Sequence, residues 1–247
     1  MKEGYYMSDL RWRVEHGDAI EGMTMLPDQS VDAVVMDPPY CAGAVAEASR
    51  TAAKGQGLRS ETLTRFGWFT GDNMGTAGLV FLLRAIAFQA MAVVKPSGHL
   101  LCFCDWRMLP NIAPGIESAG WRYQGLVVWD KGHMGLGNGF RAQHELVLHY
   151  TRGAPIYHDR ATSNVIQSKR VHHTEREHQT QKPVELLQKL IRVVAPKGGT
   201  ILDPFTGAGS TGIAALAEGC RFVGIEREAE YVEIARQRIA AEAAKTP

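Results

Sequence analysis

Residues 200–212 read TILDPFTGAGSTG, a short apolar strand pattern that runs into a glycine-rich turn. The apolar residues of Thr200 to Leu202 predict the strand, and Ser210 to Glu218 predict the helix that follows it. In that context the spacing Gly207-x-Gly209-x-x-Gly212 is typical of turns that hold a nucleotide or nucleoside cofactor. The segment therefore predicts an α/β fold with a cofactor site at the carboxyl end of a strand.

The acidic and aromatic residues around this turn indicate which kind of cofactor it holds. Glu226 ends the next predicted strand, where its carboxylate can accept hydrogen bonds from ribose hydroxyls. The glycines alone would also suit NAD. Asp203, however, repels a pyrophosphate and attracts the ammonium of an amino-acid moiety, and the ring of Phe205 can pack on the ligand. The pattern favours a nucleoside that carries an amino acid.

A second motif stands at the end of another predicted strand, because Asp37-Pro38-Pro39-Tyr40 directly follows the apolar run Val31 to Met36. Aspartate and proline are also common where a strand simply turns, so this motif alone is ambiguous. An aromatic amine is a poor nucleophile, since its lone pair is delocalised into the ring. Asp37 and the Pro38 carbonyl can each accept one amino hydrogen, Pro39 stiffens the backbone, and Tyr40 can stack on the base. The two motifs together predict methyl transfer to an amino group.

A cysteine-based mechanism is the rival chemistry, since methylation of a cytosine ring carbon requires a thiol nucleophile. Cys41 lies beside the second motif but follows Tyr40 rather than a proline, and Asp37 would have no purpose in that scheme. Cys102 and Cys104 alternate along a predicted strand, so we expect them to pack on one face. None of the four cysteines forms a Cys-x-x-Cys pair, and we expect no metal.

The rest of the chain alternates short apolar runs with helical patterns, which favours a sheet covered by helices on both faces. Seven strands are predicted, namely 13–15, 31–36, 99–104, 123–129, 145–150, 200–202 and 221–225, with helices at 79–94, 108–119, 183–195, 210–218 and 228–244. Only a glycine-rich connection separates strands 123–129 and 145–150, so this pair should be antiparallel. The predicted sheet is therefore mixed.

Two long segments lack strand or helix patterns, residues 41–78 and 153–180, and we expect both to contact the substrate. From Arg152 to Lys182 the chain carries six lysines or arginines against three acids, which is typical of a surface that contacts phosphates and equally of a solvated loop. The net charge of the 247 residues is only +1, so no global field points to a nucleic acid.

Length and composition predict one catalytic domain over residues 1–247, with segments 41–78 and 153–180 as insertions. The chain is 45% hydrophobic and 21% charged, which is ordinary for a globular protein. We identify no secretion signal and no apolar run that approaches about 18 residues. We therefore expect a cytoplasmic protein that has no contact with a membrane.

Two further residues near the predicted strand ends are candidate ligands of the cofactor. Asp18 follows a short strand and can bind an adenine amino group, or it can cap a helix that begins at Ala19. Lys182, in Gln181-Lys182-Pro183, can meet the cofactor carboxylate or a phosphate; an exposed lysine is the alternative.

The order of these motifs resembles the permuted beta class of DNA amino-methyltransferases. In that family the order is the tetrapeptide, target-recognition residues, a Gln-Lys-Pro segment and the Phe-x-Gly-x-Gly motif. The same order is found here in Asp37 to Tyr40, Gly153 to Thr180, Gln181 to Pro183 and Phe205 to Gly209. The resemblance covers most of the chain. It implies a Rossmann-like methyltransferase fold, S-adenosylmethionine as methyl donor, double-stranded DNA with a flipped target base, and a homodimer.

The resemblance also implies the site residues and the reaction. Aspartate at position 37 is similar to the adenine-modifying members, so adenine N6 is the expected target, with cytosine N4 the nearest alternative. The residues expected to be catalytic are Asp37, Pro38, Pro39 and Tyr40, and those expected to bind DNA are Arg160, Lys169, Arg170 and Arg176. The residues expected to bind the cofactor are Asp18, Ala19, Asp37, Lys182, Asp203, Phe205, Thr206, Gly207, Gly209, Ser210, Thr211 and Glu226. RNA or protein methylation, an inactive DNA-binding subunit and a nicotinamide enzyme are the other readings.

Overall fold

The structure is a computed structural model that describes residues 10–39, 75–135, 138–169 and 182–245. Its elements follow one another from a short strand to a long C-terminal helix. In chain order they are β1 (Trp12–His16), α1 (Ala19–Thr24), β2 (Val31–Met36), α2 (Thr76–Val93), β3 (Val94–Cys104), α3 (Leu109–Glu117), β4 (Arg122–Asp130), β5 (His144–Thr151), β6 (Val165–Gln167), α4 (Val184–Val194), β7 (Thr200–Asp203), α5 (Ser210–Ala217), β8 (Arg221–Glu226) and α6 (Ala229–Ala243).

The strands form one sheet in the order β1-β8-β7-β2-β3-β5-β4-β6. The first five are parallel, so they all end at one side of the sheet, which we call the carboxyl edge. They begin at the opposite side, the amino edge. Strand β5 is antiparallel to both β3 and β4, whereas β6 runs parallel to β4. The predicted mixed sheet and the antiparallel pair are thus confirmed.

Helices cover both faces of the sheet because the strands are apolar on both sides. On one face α1, α2 and α3 pack on alternate strand residues such as Val34, Met36 and Cys102. On the other face α4, α5 and α6 pack on the intervening residues, among them Val35 and Phe103. Cys104 shares the cluster of Cys102, as their spacing predicts.

Besides shifts of a few residues at element ends, the structure differs from the sequence prediction at β6, α1 and β3. Strand β6 is an eighth strand inside segment 153–180, which had no predicted element, and its three residues are too few to give a periodic signal. Helix α1 begins at Ala19, a position that the sequence analysis gives only as the alternative to an adenine contact of Asp18. Strand β3 begins at Val94 rather than His99, because Val94 already pairs with Val31 before a shift in register.

Helix α2 corrects the expectation that no segment is apolar enough to cross a membrane. Over its 18 residues the mean hydropathy is 1.8, which passes that test by length and composition. Arg84 and Gln89 interrupt the run in sequence, which is why we did not identify it. Core helices pass the same test, and residues such as Leu83, Ile86 and Ala90 are buried against the sheet and α3.

Candidate active site

The two sequence motifs meet at the carboxyl edge, because β2 and β7 are parallel neighbours. Val34 pairs with Leu202, so Asp37, just after β2, lies close to Asp203, the last residue of β7. The negative charge of Asp37 acts on Asp203, which agrees with that placement. Carboxyl ends of adjacent parallel strands are where open α/β sheets bind their ligands.

The glycine-rich turn is held by its own polar groups. The N–H of Phe205 donates to a carboxylate oxygen of Asp203 at 2.9 Å, and the Thr206 hydroxyl donates to the Asp203 carbonyl at 3.0 Å. Gly207 and Gly209 have φ angles of 50° and 82°, a region that L side chains rarely adopt. The turn is therefore a fixed backbone surface that begins at the carboxyl edge.

The glycines of the turn have different functions. A Cβ on Gly209 would lie 3.1 Å from Ala235 of α6, and one on Gly212 would lie 2.8 Å from the Phe222 ring. These two residues let α5 pack against α6 and β8. Gly207 is only half-buried, so it is the glycine whose backbone can approach a ligand. Ser210 and Thr211 are buried in the first turn of α5.

Asp203 is buried, with 2% of its surface exposed. Burial raises the pKa of its carboxyl to about 7, although hydrogen bonds from Thr211 and from the Phe205 N–H lower it. The negative charges of Asp37 and Glu226 raise this pKa further. A nearby cation would therefore favour the ionised carboxylate.

Glu226 fastens the end of β8 to the glycine-rich turn. Its carboxylate accepts the N–H of Gly207 at 2.7 Å and the N–H of Glu228 at 2.8 Å. Burial raises the pKa of Glu226, and these backbone hydrogen bonds lower it in part. A carboxylate can accept more than two hydrogen bonds, so these contacts leave room for hydrogen bonds from ribose hydroxyls. That role of Glu226 stays a prediction.

Asp18 lies at the same edge, where it caps helix α1. Its carboxylate accepts the N–H of Ile20 at 2.8 Å and the N–H of Glu21 at 3.3 Å. These contacts show the capping alternative, and the adenine contact stays a prediction for the same exposed carboxylate. Ala19 is buried at the start of the helix.

Lys182 does not lie exposed at the surface but is paired with Asp37. Its Nζ atom is 2.5 Å from Asp37 Oδ2, and 7% of the lysine side chain is exposed, against 21% for the aspartate. Side chains alternate along β2, so Asp37 points to the face that α4 covers, and Lys182 immediately precedes that helix. The predicted contact of Lys182 with a cofactor carboxylate would compete with this pair.

Two charged residues that we did not predict extend this pair. Glu145 Oε2 lies 3.6 Å from Lys182 Nζ, and Glu145 Oε1 accepts from Lys131 Nζ at 3.1 Å. The signal available in the sequence was a glutamate at the start of an apolar strand, opposite a lysine at the end of its predicted antiparallel partner. Both lie at the carboxyl edge because β4 ends and β5 begins there.

The remaining predicted residues fall in different places. Tyr40, Arg170 and Arg176 lie outside the described residues. Lys169 follows β6 at the carboxyl edge, since the N–H of Ser168 donates to the Asp130 carbonyl at 3.0 Å. Arg160 lies at the amino edge, because the N–H of His158 donates to the carbonyl of Val193 near the end of α4. The structure thus does not bring Arg160 to the edge that carries Asp37.

Sheet order, helical layers and the strand-end residues together define a Rossmann-like methyltransferase. The DNA methylase family N6_N4_Mtase matches residues 31–237, and the chain belongs to this family. Both the predicted family and the predicted fold class are confirmed, and the described part of the chain forms one strand more than the seven expected.

Known proteins resemble the chain over almost its whole length. YubD of Escherichia coli (strain K12), a methylase by name, is 28% identical over 93% of this chain and 90% of its own. The type II methyltransferase M2.DpnII of Streptococcus pneumoniae is 25% identical over 98% of this chain and 94% of its own length.

Solved structures show the same fold. The M1.HpyAVI–SAM complex has a TM-score of 0.67 and 22% identity and covers 92% of this chain and 98% of its own. The PvuII cytosine-N4-specific DNA methyltransferase has a TM-score of 0.68 and 14% identity, and the match covers 95% of this chain and 92% of the PvuII enzyme. These identities are low, so the likeness establishes the shared fold.

Proposed function

We propose that the protein transfers a methyl group from S-adenosylmethionine to the exocyclic amine of a base in double-stranded DNA, with adenine N6 as the target. The observation that carries the proposal is the meeting of Asp37 and the glycine-rich turn on adjacent parallel strands. The membership in the DNA methylase family supports DNA methylation as the activity. We further propose that the protein acts in the cytoplasm.

The residues at the carboxyl edge fit S-adenosylmethionine in charge and shape. Glu226 and Asp18 offer carboxylates for ribose and adenine groups, half-buried Gly207 offers backbone, and buried Asp203 favours a nearby ammonium. Phe205 is half-buried and can pack on the ligand, whereas Thr206, Gly209, Ser210 and Thr211 shape the turn beneath it. The donor supplies a methyl group already activated by its sulfonium.

Asp37 has the central part in our proposal for the reaction. Its carboxylate and the Pro38 carbonyl accept the two amino hydrogens, which directs the nitrogen lone pair toward the methyl group. Lys182 at 2.5 Å favours the ionised carboxylate and makes it a weaker base. We therefore assign Asp37 the role of a fixed hydrogen-bond acceptor, and the amine proton leaves to water after transfer.

Cytosine N4 is the second candidate target, because it is also an exocyclic amine. The fold does not separate the two, since the cytosine-N4-specific PvuII enzyme matches with a TM-score of 0.68 and M1.HpyAVI with 0.67. The aspartate at position 37 is our reason for adenine.

We propose a homodimer as well. Helix α2 leaves Phe81 and Phe88 exposed at 73% and 63%, seven residues apart and therefore on one side of the helix. Such an apolar face fits burial against a second copy. Sedimentation velocity of the purified protein measures this oligomeric state directly.

Nucleoside analysis tests the proposed reaction. Purified protein is incubated with methyl-labelled S-adenosylmethionine and unmethylated double-stranded DNA, and digested nucleosides are analysed by mass spectrometry. We expect labelled N6-methyladenine. Labelled N4-methylcytosine as the sole product would overturn the adenine assignment, and label in RNA but not in DNA would overturn DNA as substrate.

Calorimetry with S-adenosylmethionine and NAD separates the methyltransferase from a nicotinamide enzyme. We expect heat of binding with S-adenosylmethionine and none with NAD. Tight binding of NAD without binding of S-adenosylmethionine would contradict the proposal at its first step.

A further inference from the structure

Lys131 and Lys182 are both more than nine-tenths buried, and both contact the carboxylate of Glu145. Each lysine is also close to an aromatic ring: Lys182 Nζ lies 5.0 Å from the Phe103 ring centroid, and Lys131 Nζ lies 5.6 Å from that of Trp129. With Asp37 they form a line of alternating charges, which we call the charge chain: Asp37, Lys182, Glu145, Lys131. Burial of ammonium groups is costly unless they are paired, so each member depends on its neighbours.

The fold brings this chain together from four separate segments. Trp129 pairs with Glu145 across β4 and β5, and the N–H of Lys131 donates to the Gln143 carbonyl at 3.0 Å. That pairing places Lys131 and Glu145 on the same face. Phe103 belongs to the cluster on the α4 face, as does Val147 two residues after Glu145. Asp37 and Lys182 point to the same side, so the chain is continuous across the site.

The arrangement has a consequence for Asp37. Without Glu145, Asp37 would be the one carboxylate left in the charge chain, and Lys131 would keep its interaction with Asp105 outside it. Lys182 would then lose the carboxylate that holds it on the side away from Asp37, and its position would shift. Because Lys182 contacts the carboxylate that orients the amine, such a shift would misdirect the acceptor. A displacement of about 1 Å at a reacting group can cost about 10²-fold in rate.

We infer that Glu145 is a positioning residue for methyl transfer: it holds Lys182 against Asp37, and Lys131 holds Glu145. This inference rests on the proposed function and deepens it by adding two residues that act through Lys182. A purely structural role, in which Lys131 and Glu145 only fasten β4 to β5, is the alternative that the experiment must separate.

Glu145→Gln tests the inference, because it keeps the shape of the side chain and removes its charge. We expect kcat to fall by about 10²-fold while KM for S-adenosylmethionine and for DNA changes less than about threefold. Lys131→Arg keeps the positive charge and should retain most of the activity, whereas Lys131→Met should resemble Glu145→Gln.

Asp32→Asn is the matched control, since it removes an equally shielded carboxylate from an ion pair with Lys95 at the amino edge. The side chain of Asp32 is 14% exposed and that of Glu145 18%. We expect Asp32→Asn to lower the melting temperature but not kcat of the folded enzyme. A Glu145→Gln enzyme that, like this control, has a lower melting temperature but keeps its kcat while folded would establish the structural alternative and overturn the inference.

A double variant distinguishes action through Lys182 from an independent effect. If Glu145 acts through Lys182, then Lys182→Met with Glu145→Gln should be no slower than Lys182→Met alone. Losses that multiply would overturn the inference, as would a Glu145→Gln enzyme within about twofold of wild-type kcat. A wild-type protein that methylates no DNA would instead overturn the proposed function, and the inference with it.

Discussion

The two ends of strand β2 carry aspartates that are paired with lysines in contrasting ways. Near the start, both oxygens of Asp32 accept from Lys95 at 2.9 Å, and one also accepts the Thr200 N–H at 2.7 Å. Just past the other end, Asp37 is paired with Lys182. The Lys95 side chain is 44% exposed and that of Lys182 only 7%.

This difference in burial agrees with the functional role that we propose for the pair of Asp37 and Lys182. Asp32 ties β2, β3 and β7 together with a backbone donor and a solvated lysine, an arrangement that costs little desolvation. Burial of Lys182 and Lys131 brings a large desolvation cost, and stability alone is better served by apolar residues of similar volume. The buried charges at the carboxyl edge therefore fit the role that we propose for Asp37.

The largest expected effect is that of Asp37→Ala. We expect turnover to fall by about 10³-fold, because the amine loses the acceptor that directs its lone pair. Affinity for S-adenosylmethionine, measured by calorimetry, should be largely unchanged.

The comparison with Asp32 makes this prediction specific. Asp32→Asn should cost about 1–3 kcal/mol of unfolding free energy and several degrees in Tm, with turnover kept. Normal turnover in Asp37→Ala would remove its proposed acceptor role, and a comparable loss of turnover in Asp32→Asn would erase the contrast between the two ends.

The sequence predicted the parallel core well because its motifs carry local signals. Apolar runs with β-branched residues and the turn after Leu202 indicated β2, β7 and β8, whereas their order in the sheet became known only from the structure. The motif at Asp37 and the turn at Asp203 were each predicted at a strand end, and the parallel neighbours β2 and β7 bring them to one edge.

The charge chain was not predicted because its contacts depend on burial. A lysine followed by glycine at a strand end is typical of a solvated turn, so Lys131 gave no signal. Lys182 was identified by its motif but assigned to an external ligand, since sequence does not reveal that Asp37 and α4 share one face of the sheet. Arg160 was grouped with Lys169 by charge alone, although β6 separates them across the sheet.

A smaller effect is expected from Asp203, because burial raises the pKa of its carboxyl to about 7. The folded-state pKa is raised, so the protonated carboxyl is stabilised and the protein loses stability as pH rises from about 4 to 7. A cationic ligand favours the ionised form, so binding of S-adenosylmethionine should release a proton below pH 7. Its affinity should weaken by up to about tenfold between about pH 7 and pH 6.

Calorimetry in two buffers of different ionisation enthalpy measures this proton release. Asp203→Asn should abolish the pH dependence. An affinity that stays constant from about pH 6 to pH 7 would show that no ammonium lies near Asp203, and would remove this residue from the proposed cofactor site.

The smallest effect is expected from Lys169, which tests whether the carboxyl edge faces DNA. A base that reaches Asp37 must bring its flanking phosphates to this edge, where Lys169 is exposed after β6. Lys169→Ala should weaken DNA binding several-fold and reduce the slope of log affinity against log salt by about 1, as expected for one lost phosphate contact. Fluorescence anisotropy at several salt concentrations measures that slope.

The control is Lys197→Ala, because Lys197 is an exposed lysine between α4 and β7 at the amino edge. This substitution should leave the slope unchanged. Equal slopes for the two variants would place the DNA elsewhere and break the functional contrast between the edges.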